Sequence, residues 1–354
     1  MPASIIPRLR VALTGFGQVA ADVHLPVLRR MPGVEVVAIA DVDPGRRALA
    51  RQLAPQVSAY ESQEVMLAQS DVEAVIICAP SQWHADHAIA ALQSGKHVYL
   101  EKPAATTLAD AWRLAETGRR SDRVGMLGFN YRFSPLIQSA RRQMKAGRIG
   151  ELRYVRTTFS LAPREMPDWK ASRRMGGGVL LDLASHHVDL IPYLCAATVD
   201  EASARIWSRR KEDDCAALQL TLSNGATVQS FFSSCAVDED SIEIYGDRGK
   251  LSLNRYSLYQ VRFTSADGYG GPGRRFRRWI QELLPPRAIF EKLRSPLHEA
   301  SYPKAMARFV ANARGGTDEY PDFEDGLRCQ EILEAAEESS RTCRVVPCAA
   351  PPSV

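Results

Sequence analysis

The stretch Val11-Ala12-Leu13-Thr14-Gly15-Phe16-Gly17-Gln18-Val19-Ala20 decides the fold. A short buried-strand pattern runs into Gly-x-Gly-x-x-Ala, the spacing of a turn that joins a strand to a helix over a dinucleotide pyrophosphate. Gly15 permits the tight turn, Gly17 lets the backbone approach a phosphate, and the small Ala20 allows close helix packing. The helix that follows offers unpaired N–H groups and the positive end of its dipole to an anion. Asp41 follows the next apolar run, residues 34–40, at the distance where a carboxylate accepts ribose hydroxyls. Its charge repels a 2′-phosphate and Val42 offers no replacement donor, so NAD is the expected cofactor. Arg46 leaves NADP open, because a guanidinium can pair a 2′-phosphate.

Outward from this turn, residues 11–14, 34–40, 74–78, 97–100 and 124–127 read as buried strands, with helical patterns between them, for example over 45–53 and 85–93. Repeated β-α units of this kind imply a doubly wound parallel sheet with helices on both faces. A different pattern begins at residues 130–145, and two domains are expected, 1–128 and 129–354. The strands of the second are longer and alternating: 152–160, 218–222, 227–232, 242–245 and 251–253. Asn224-Gly225 between two of them predicts a two-residue hairpin turn with positive φ at both positions. A helix over 178–194 is expected to pack on this largely antiparallel sheet, giving an α+β domain. Helices over 302–313 and 324–340 close the chain.

The size of the chain, 354 residues, fits two cores better than one. With 45% hydrophobic and 24% charged residues it belongs among globular proteins. A formal net charge of +4 gives no case for a nucleic-acid partner. The longest apolar runs are too short to cross a bilayer, and no signal core follows the N-terminus, so no membrane span and a cytoplasmic address are expected. Seven cysteines without a C-x-x-C pair read as reduced thiols. The segment 268–296 carries Arg274, Arg275, Arg277 and Arg278 beside Phe276 and Trp279. Arginines of this density suit an anionic ligand or a neighbouring subunit, and equally a solvated basic face.

Two clusters carry candidate chemistry. Glu101-Lys102-Pro103 ends a core strand, on the side where ligands gather in such sheets, so Lys102 can face the cofactor, hydrogen-bond a substrate hydroxyl and stabilise oxyanion character. These three residues alone also fit a surface turn. The second cluster is Gly176-Gly177-Gly178 followed by Asp182, His186 and Asp189, which at i, i+4 and i+7 share one face of an α-helix. They suit an acid and a base, or a helix cap with packed polar residues. Neither H-E-x-x-H nor a cysteine set is present, and no metal is expected. His187 lies about 100° further around the helix, a structural position. Trp169, Lys170, Arg173 and Arg174 precede the glycines as walls of a substrate pocket or as a solvated loop.

The Gly15 turn, Asp41, Glu101-Lys102-Pro103 and the Asp182/His186 helix together resemble the glucose-fructose oxidoreductase, inositol dehydrogenase and rhizopine catabolism protein family, Gfo/Idh/MocA. Further matching stretches are His24-Leu25-Pro26, Ala79-Pro80-Ser81-Gln82-Trp83-His84, Gly95-Lys96-His97-Val98, Asn130-Tyr131-Arg132-Phe133, Gly147-Arg148-Ile149-Gly150 and Pro321-Asp322-Phe323-Glu324-Asp325-Gly326. The resemblance implies an N-terminal Rossmann domain and a C-terminal domain with an open sheet that forms homodimer or homotetramer contacts. It makes Lys102 the catalytic lysine, His186 the general acid/base and Asp182 the orienting carboxylate. Gly15, Phe16, Gly17, Gln18, Val19, Ala20, Asp41, Arg46, Pro80, Ser81, His84, Glu101, Lys102 and Arg132 are then the cofactor contacts. Lys102, Trp169, Arg173, Asp182 and His186 are the substrate contacts. Ser81 stands where the family often has Asn, and Ala184 where it often has Gly; both bear on how tightly the ribose or substrate is held. The implied activity is NAD(P)-dependent interconversion of a secondary alcohol and a ketone on a sugar, cyclitol or sugar derivative. NAD-assisted glycosidic cleavage and a non-catalytic NAD-binding regulator are the alternatives on the same scaffold.

Overall fold

A computed structural model describes residues 8–256, 260–267 and 299–348. The arginine-rich segment 268–296, with Arg274 to Trp279, lies outside the described residues. The chain forms two compact units, one of residues 1–130 with 295–330 and one of 131–294 with 331–354. The expected single division at 128/129 therefore misses a return of the chain to the first unit.

The first unit is built on six parallel strands: β1 (Leu9–Thr14), β2 (Val34–Ala40), β3 (Ser58–Tyr60), β4 (Ala74–Ile77), β5 (His97–Leu100) and β6 (Gly125–Leu127). Their order is β3-β2-β1-β4-β5-β6, so the winding reverses between β1 and β4. Ligand crevices open at such a reversal, outside the carboxyl ends of the strands. All four residues of β4 and most of β1 are buried, which is why these strands read as continuous apolar runs. The edge strand β3 is short and only half-buried, and left no apolar run to read.

Helices α1 (Leu25–Arg30), α2 (Pro44–Leu53), α3 (Gln63–Gln69), α4 (His84–Gln93) and α5 (Leu108–Arg120) complete the crossovers. Capping explains the starts of several. Asp43 accepts the Gly45 N–H at 2.6 Å at the start of α2, and Thr107 accepts the Asp110 N–H at 3.2 Å at the start of α5. The returning segment supplies α8 (Ser301–Ala313), whose Phe309 meets Tyr99 of β5 edge-on at 5.8 Å. It also supplies the first part of α9 (Phe323–Thr342), where Phe323 fills the space that side chains at Gly118 and Gly125 would occupy.

The second unit holds α6 (Pro135–Lys145) and an eight-stranded sheet ordered β13-β12-β11-β7-β10-β9-β8-β14. Its members are β7 (Leu152–Ser160), β8 (Val199–Trp207), β9 (Cys215–Leu222), β10 (Thr227–Ser233), β11 (Glu239–Gly246), β12 (Gly249–Asn254), β13 (Arg262–Ser265) and β14 (Val346–Pro347). All neighbours are antiparallel except β7 and β10.

Two local expectations change here. The β9–β10 turn has three residues, not two: Leu222 N–H bonds Ala226 O, Gly225 N–H bonds Leu222 O, and of the Asn-Gly pair only Gly225 takes positive φ, +81°. That is a type I turn closed by a left-handed glycine. The helix expected over 178–194 is a π-helical turn, Leu180–Ala184, running into α7 (Ser185–Cys195). At its start the Val179 N–H bonds Asp213 O at 2.8 Å, outside the helix. A π turn spaces its hydrogen bonds i to i+5.

Candidate active site

The glycine turn after β1 is set by contact with the end of β4. Gly15 has φ +80°, and a Cβ there would stand 2.6 Å from Ala79 N, inside backbone. Around a Cβ on Gly17, by contrast, nothing lies within 4 Å, which leaves the approach a pyrophosphate requires. The buried Phe16 anchors the turn from below. Its N–H donates to Asp41 Oδ2 at 2.6 Å, and the Asp43 N–H donates to Oδ1 at 2.9 Å. The carboxylate is therefore held against the turn by two amides at the end of β2. Ala20 opens a π-helical turn, Ala20–His24, that leads into α1. Arg46 is exposed on the first turn of α2. The open approach at Gly17 and the carboxylate fixed at the end of β2 suit a dinucleotide.

At the end of β5 stand Glu101 and Lys102. Glu101 is buried and its Oε1 lies 2.7 Å from His24 Nε2 of the π-helical turn. This partner connects the glycine turn's helix to the strand that presents Lys102. Pro103, joined to Lys102 by a cis peptide, is fixed by His84. The buried His84 ring sits between Pro103 O at 2.7 Å and Ala79 O at 2.8 Å. Burial lowers the pKa of its imidazole, against the two carbonyls, which favour the charged form. A neutral ring has one N–H for two acceptors. His84 thus ties the Lys102-Pro103 segment to the loop after β4, where Pro80 precedes the buried Ser81 in a short 3-10 turn.

In the second unit, Lys170 Nζ lies 2.7 Å from Asp182 Oδ1, both side chains partly exposed in a cleft that also includes Lys211 and Asp213. Burial and then the neighbouring carboxylates Glu212 and Glu337 push the Asp213 carboxyl up from its ordinary pKa. His186 is 8% exposed and stacked on Tyr131, with centroids 4.0 Å apart and planes inclined 14°. Arg255 covers the Tyr131 ring at 3.3 Å and donates to Asp240 Oδ2 at 2.6 Å. Asp240 Oδ1 lies 3.1 Å from His187 Nε2. Burial would raise the Asp240 pKa, but Arg255 and His187 hold it below the ordinary carboxylate range. His187, read from the sequence as structural, is fully buried in this network.

Other expected site residues have partners of their own. The Arg132 guanidinium grips Asp189 through Nε at 2.9 Å and Nη2 at 2.5 Å, with both residues buried. Arg173 holds Glu337, and its backbone N–H meets Glu212 Oε2 at 3.0 Å. Trp169 lies beside the Lys170 ammonium, 5.4 Å from its ring centroid. Sequence spacing left the pairings Glu101–His24, Lys170–Asp182 and Asp240–Arg255 unseen, since their members lie far apart in the chain or carry no motif. The seven cysteines are free thiols. Asp214, Cys215 and Cys235 bring potential metal-ligand atoms within 4.8 Å of one another. The Asp214 carboxylate there caps the 209–211 loop, accepting three backbone N–H groups at 2.7–3.0 Å. Among the described residues, no helix is long and apolar enough to cross a membrane.

A parallel sheet of this order with a glycine turn at its reversal is the fold of dinucleotide-binding oxidoreductases. Residues 9–129 match the oxidoreductase family with an NAD-binding Rossmann fold, and residues 137–252 match the C-terminal domain of the same family. The chain belongs to the Gfo/Idh/MocA oxidoreductases. It is 30% identical to an uncharacterized oxidoreductase of Synechocystis sp. over 94% of each chain. It is 25% identical to the myo-inositol 2-dehydrogenase of Thermotoga maritima, over 96% of this chain and 98% of that one. The WlbA dehydrogenase of Bordetella pertussis, solved with NADH and UDP-GlcNAcA, has the same fold at a TM-score of 0.83 and 22% identity, covering 97% of this chain and 99% of that one.

Proposed function

We propose that the protein interconverts a secondary alcohol and a ketone on a sugar, cyclitol or sugar derivative, with NAD in preference to NADP. His186 takes the hydroxyl proton as the carbinol hydride leaves, Lys102 donates a hydrogen bond to the same oxygen, and Asp182 orients the substrate. NAD, when bound, supplies the hydride acceptor. The observation that carries this reading is the helix start that holds Asp182 at a partly open cleft and, four residues on, His186 against an aromatic ring. A ring fixed by stacking retains one orientation for proton transfer, as general base catalysis requires. NAD over NADP rests on the Asp41 carboxylate, fixed by two amides where a 2′-phosphate would meet its charge. The protein acts in the cytoplasm as a homodimer or homotetramer. The test is a screen of inositols, aldoses, glycosides and sugar acids with NAD and with NADP, following reduced nicotinamide. Turnover of at least one polyol with NAD is expected, and no turnover across the panel overturns the reading.

A further inference from the structure

We infer that Lys170 is a positioning residue for Asp182, and that the glycine run Gly176-Gly177-Gly178 exists in part to seat it. The inference rests on the function proposed above, because it assigns a role through Asp182. Lys170 closes a short 3-10 turn, Asp168–Ala171, ahead of the glycines. The chain then folds back so that Gly177 lies against the Lys170 backbone. A Cβ on Gly177 would stand 2.3 Å from Lys170 O and 2.8 Å from Ser172 O, so no other residue fits without moving that turn. The Gly178 N–H also points at Lys170 O, at 3.4 Å. Close backbone packing thus fixes the root of the lysine, and its ammonium reaches Asp182 Oδ1 at 2.7 Å.

The surroundings give this contact a purpose. Glu212, Asp213 and Asp214 line the same cleft as Asp182, with Lys170 and Lys211 as its cations. Asp214 is held by backbone amides and Asp213 already feels its neighbours as like charges. A cation beside Asp182 offsets those like charges and holds its carboxylate in one orientation. Lys170 supplies it, and an ammonium has three N–H donors, so one bond to Asp182 leaves two for a substrate hydroxyl. The carboxylate is then an oriented acceptor when the substrate arrives.

The experiment compares K170M, K170R, D182N and the double variant K170M/D182N on the panel substrate that wild type turns over fastest, with NAD affinity followed by nicotinamide fluorescence. A hydrogen bond between charged groups predicts a kcat/KM loss of about tenfold to a hundredfold in K170M. K170R should recover to within roughly threefold of wild type, and K170M should cost nothing further in the D182N background, as coupled residues do. NAD affinity should be unchanged in all four. K170M at wild-type kcat/KM beside an impaired D182N overturns the inference and leaves the proposed function standing. Equal loss in K170M and K170R, or full additivity in the double variant, also overturns it and makes Lys170 a packing residue. Wild-type activity in D182N, or no turnover on the panel, removes the functional reading and this inference with it.

Discussion

Gly15→Ala and Gly17→Ala separate the two duties of the glycine turn, because the structure gives them different surroundings. At Gly15 a methyl group meets Ala79 N at 2.6 Å, Ala79 Cα at 2.7 Å and the Cys78 carbonyl carbon at 2.8 Å, all backbone, at φ +80°. The left-handed conformation costs an L-residue about 1–2 kcal/mol, and forcing a methyl into packed backbone costs about 1–3 kcal/mol more. G15A should therefore lose roughly 2–5 kcal/mol of stability. At Gly17 the methyl meets nothing, so G17A should hold stability within about 0.5 kcal/mol, the usual range for a site without such contacts. It should still weaken NAD by about tenfold or more, which is about 1.4 kcal/mol of lost backbone approach. Urea unfolding of the apo-proteins measures the first quantity and NAD titration the second. G17A destabilised as much as G15A, or G17A binding NAD like wild type, would refute the reasoning.

Asp41→Ser should shift the ratio of kcat/KM for NAD over NADP toward NADP by about tenfold or more, since it removes a carboxylate charge from the ribose site; an unchanged ratio denies Asp41 that role. Asp240→Asn removes the buried carboxylate charge that faces both Arg255 and His187 and should cost about 3–5 kcal/mol at neutral pH. The folded Asp240 pKa lies below the ordinary value, so its stabilisation is complete above about pH 4 and fades as pH falls through the folded value. Urea midpoints of wild type and D240N should accordingly converge on acidification below about pH 4 and stay apart above it. Gly125→Ala puts a methyl 2.5 Å from the Phe323 ring, and should lower stability by about 1–3 kcal/mol, read as a lower Tm.

The first unit was legible because its strands are buried on both faces and its turn chemistry is local. The glycine spacing, the carboxylate after β2 and the lysine at the end of β5 are each written within a few residues. What escaped the sequence is long-range. His24 reaches Glu101 across 77 positions, and a late segment, residues 299–330 among those described, returns to place Phe309 and Phe323 in the first unit. The helix expected from residue 178 differs at its start, where a π turn over Leu180–Ala184 precedes the α-helix, a change of hydrogen-bond period that residue spacing does not reveal. The Asn-Gly pair signalled a hairpin correctly, while the loop length was set by the pairing of Leu222 with Ala226. Arg132 and Arg173 have the composition of ligand-binding residues, and only the structure places Asp189 and Glu337 against them.

Proton abstraction at His186 is best measured on the fastest panel substrate, comparing H186A with wild type for turnover and for NAD affinity. Loss of a positioned general base predicts a fall in kcat of about 10²- to 10⁴-fold with the NAD dissociation constant unchanged. Turnover within about twofold of wild type, well short of that range, would contradict the assignment.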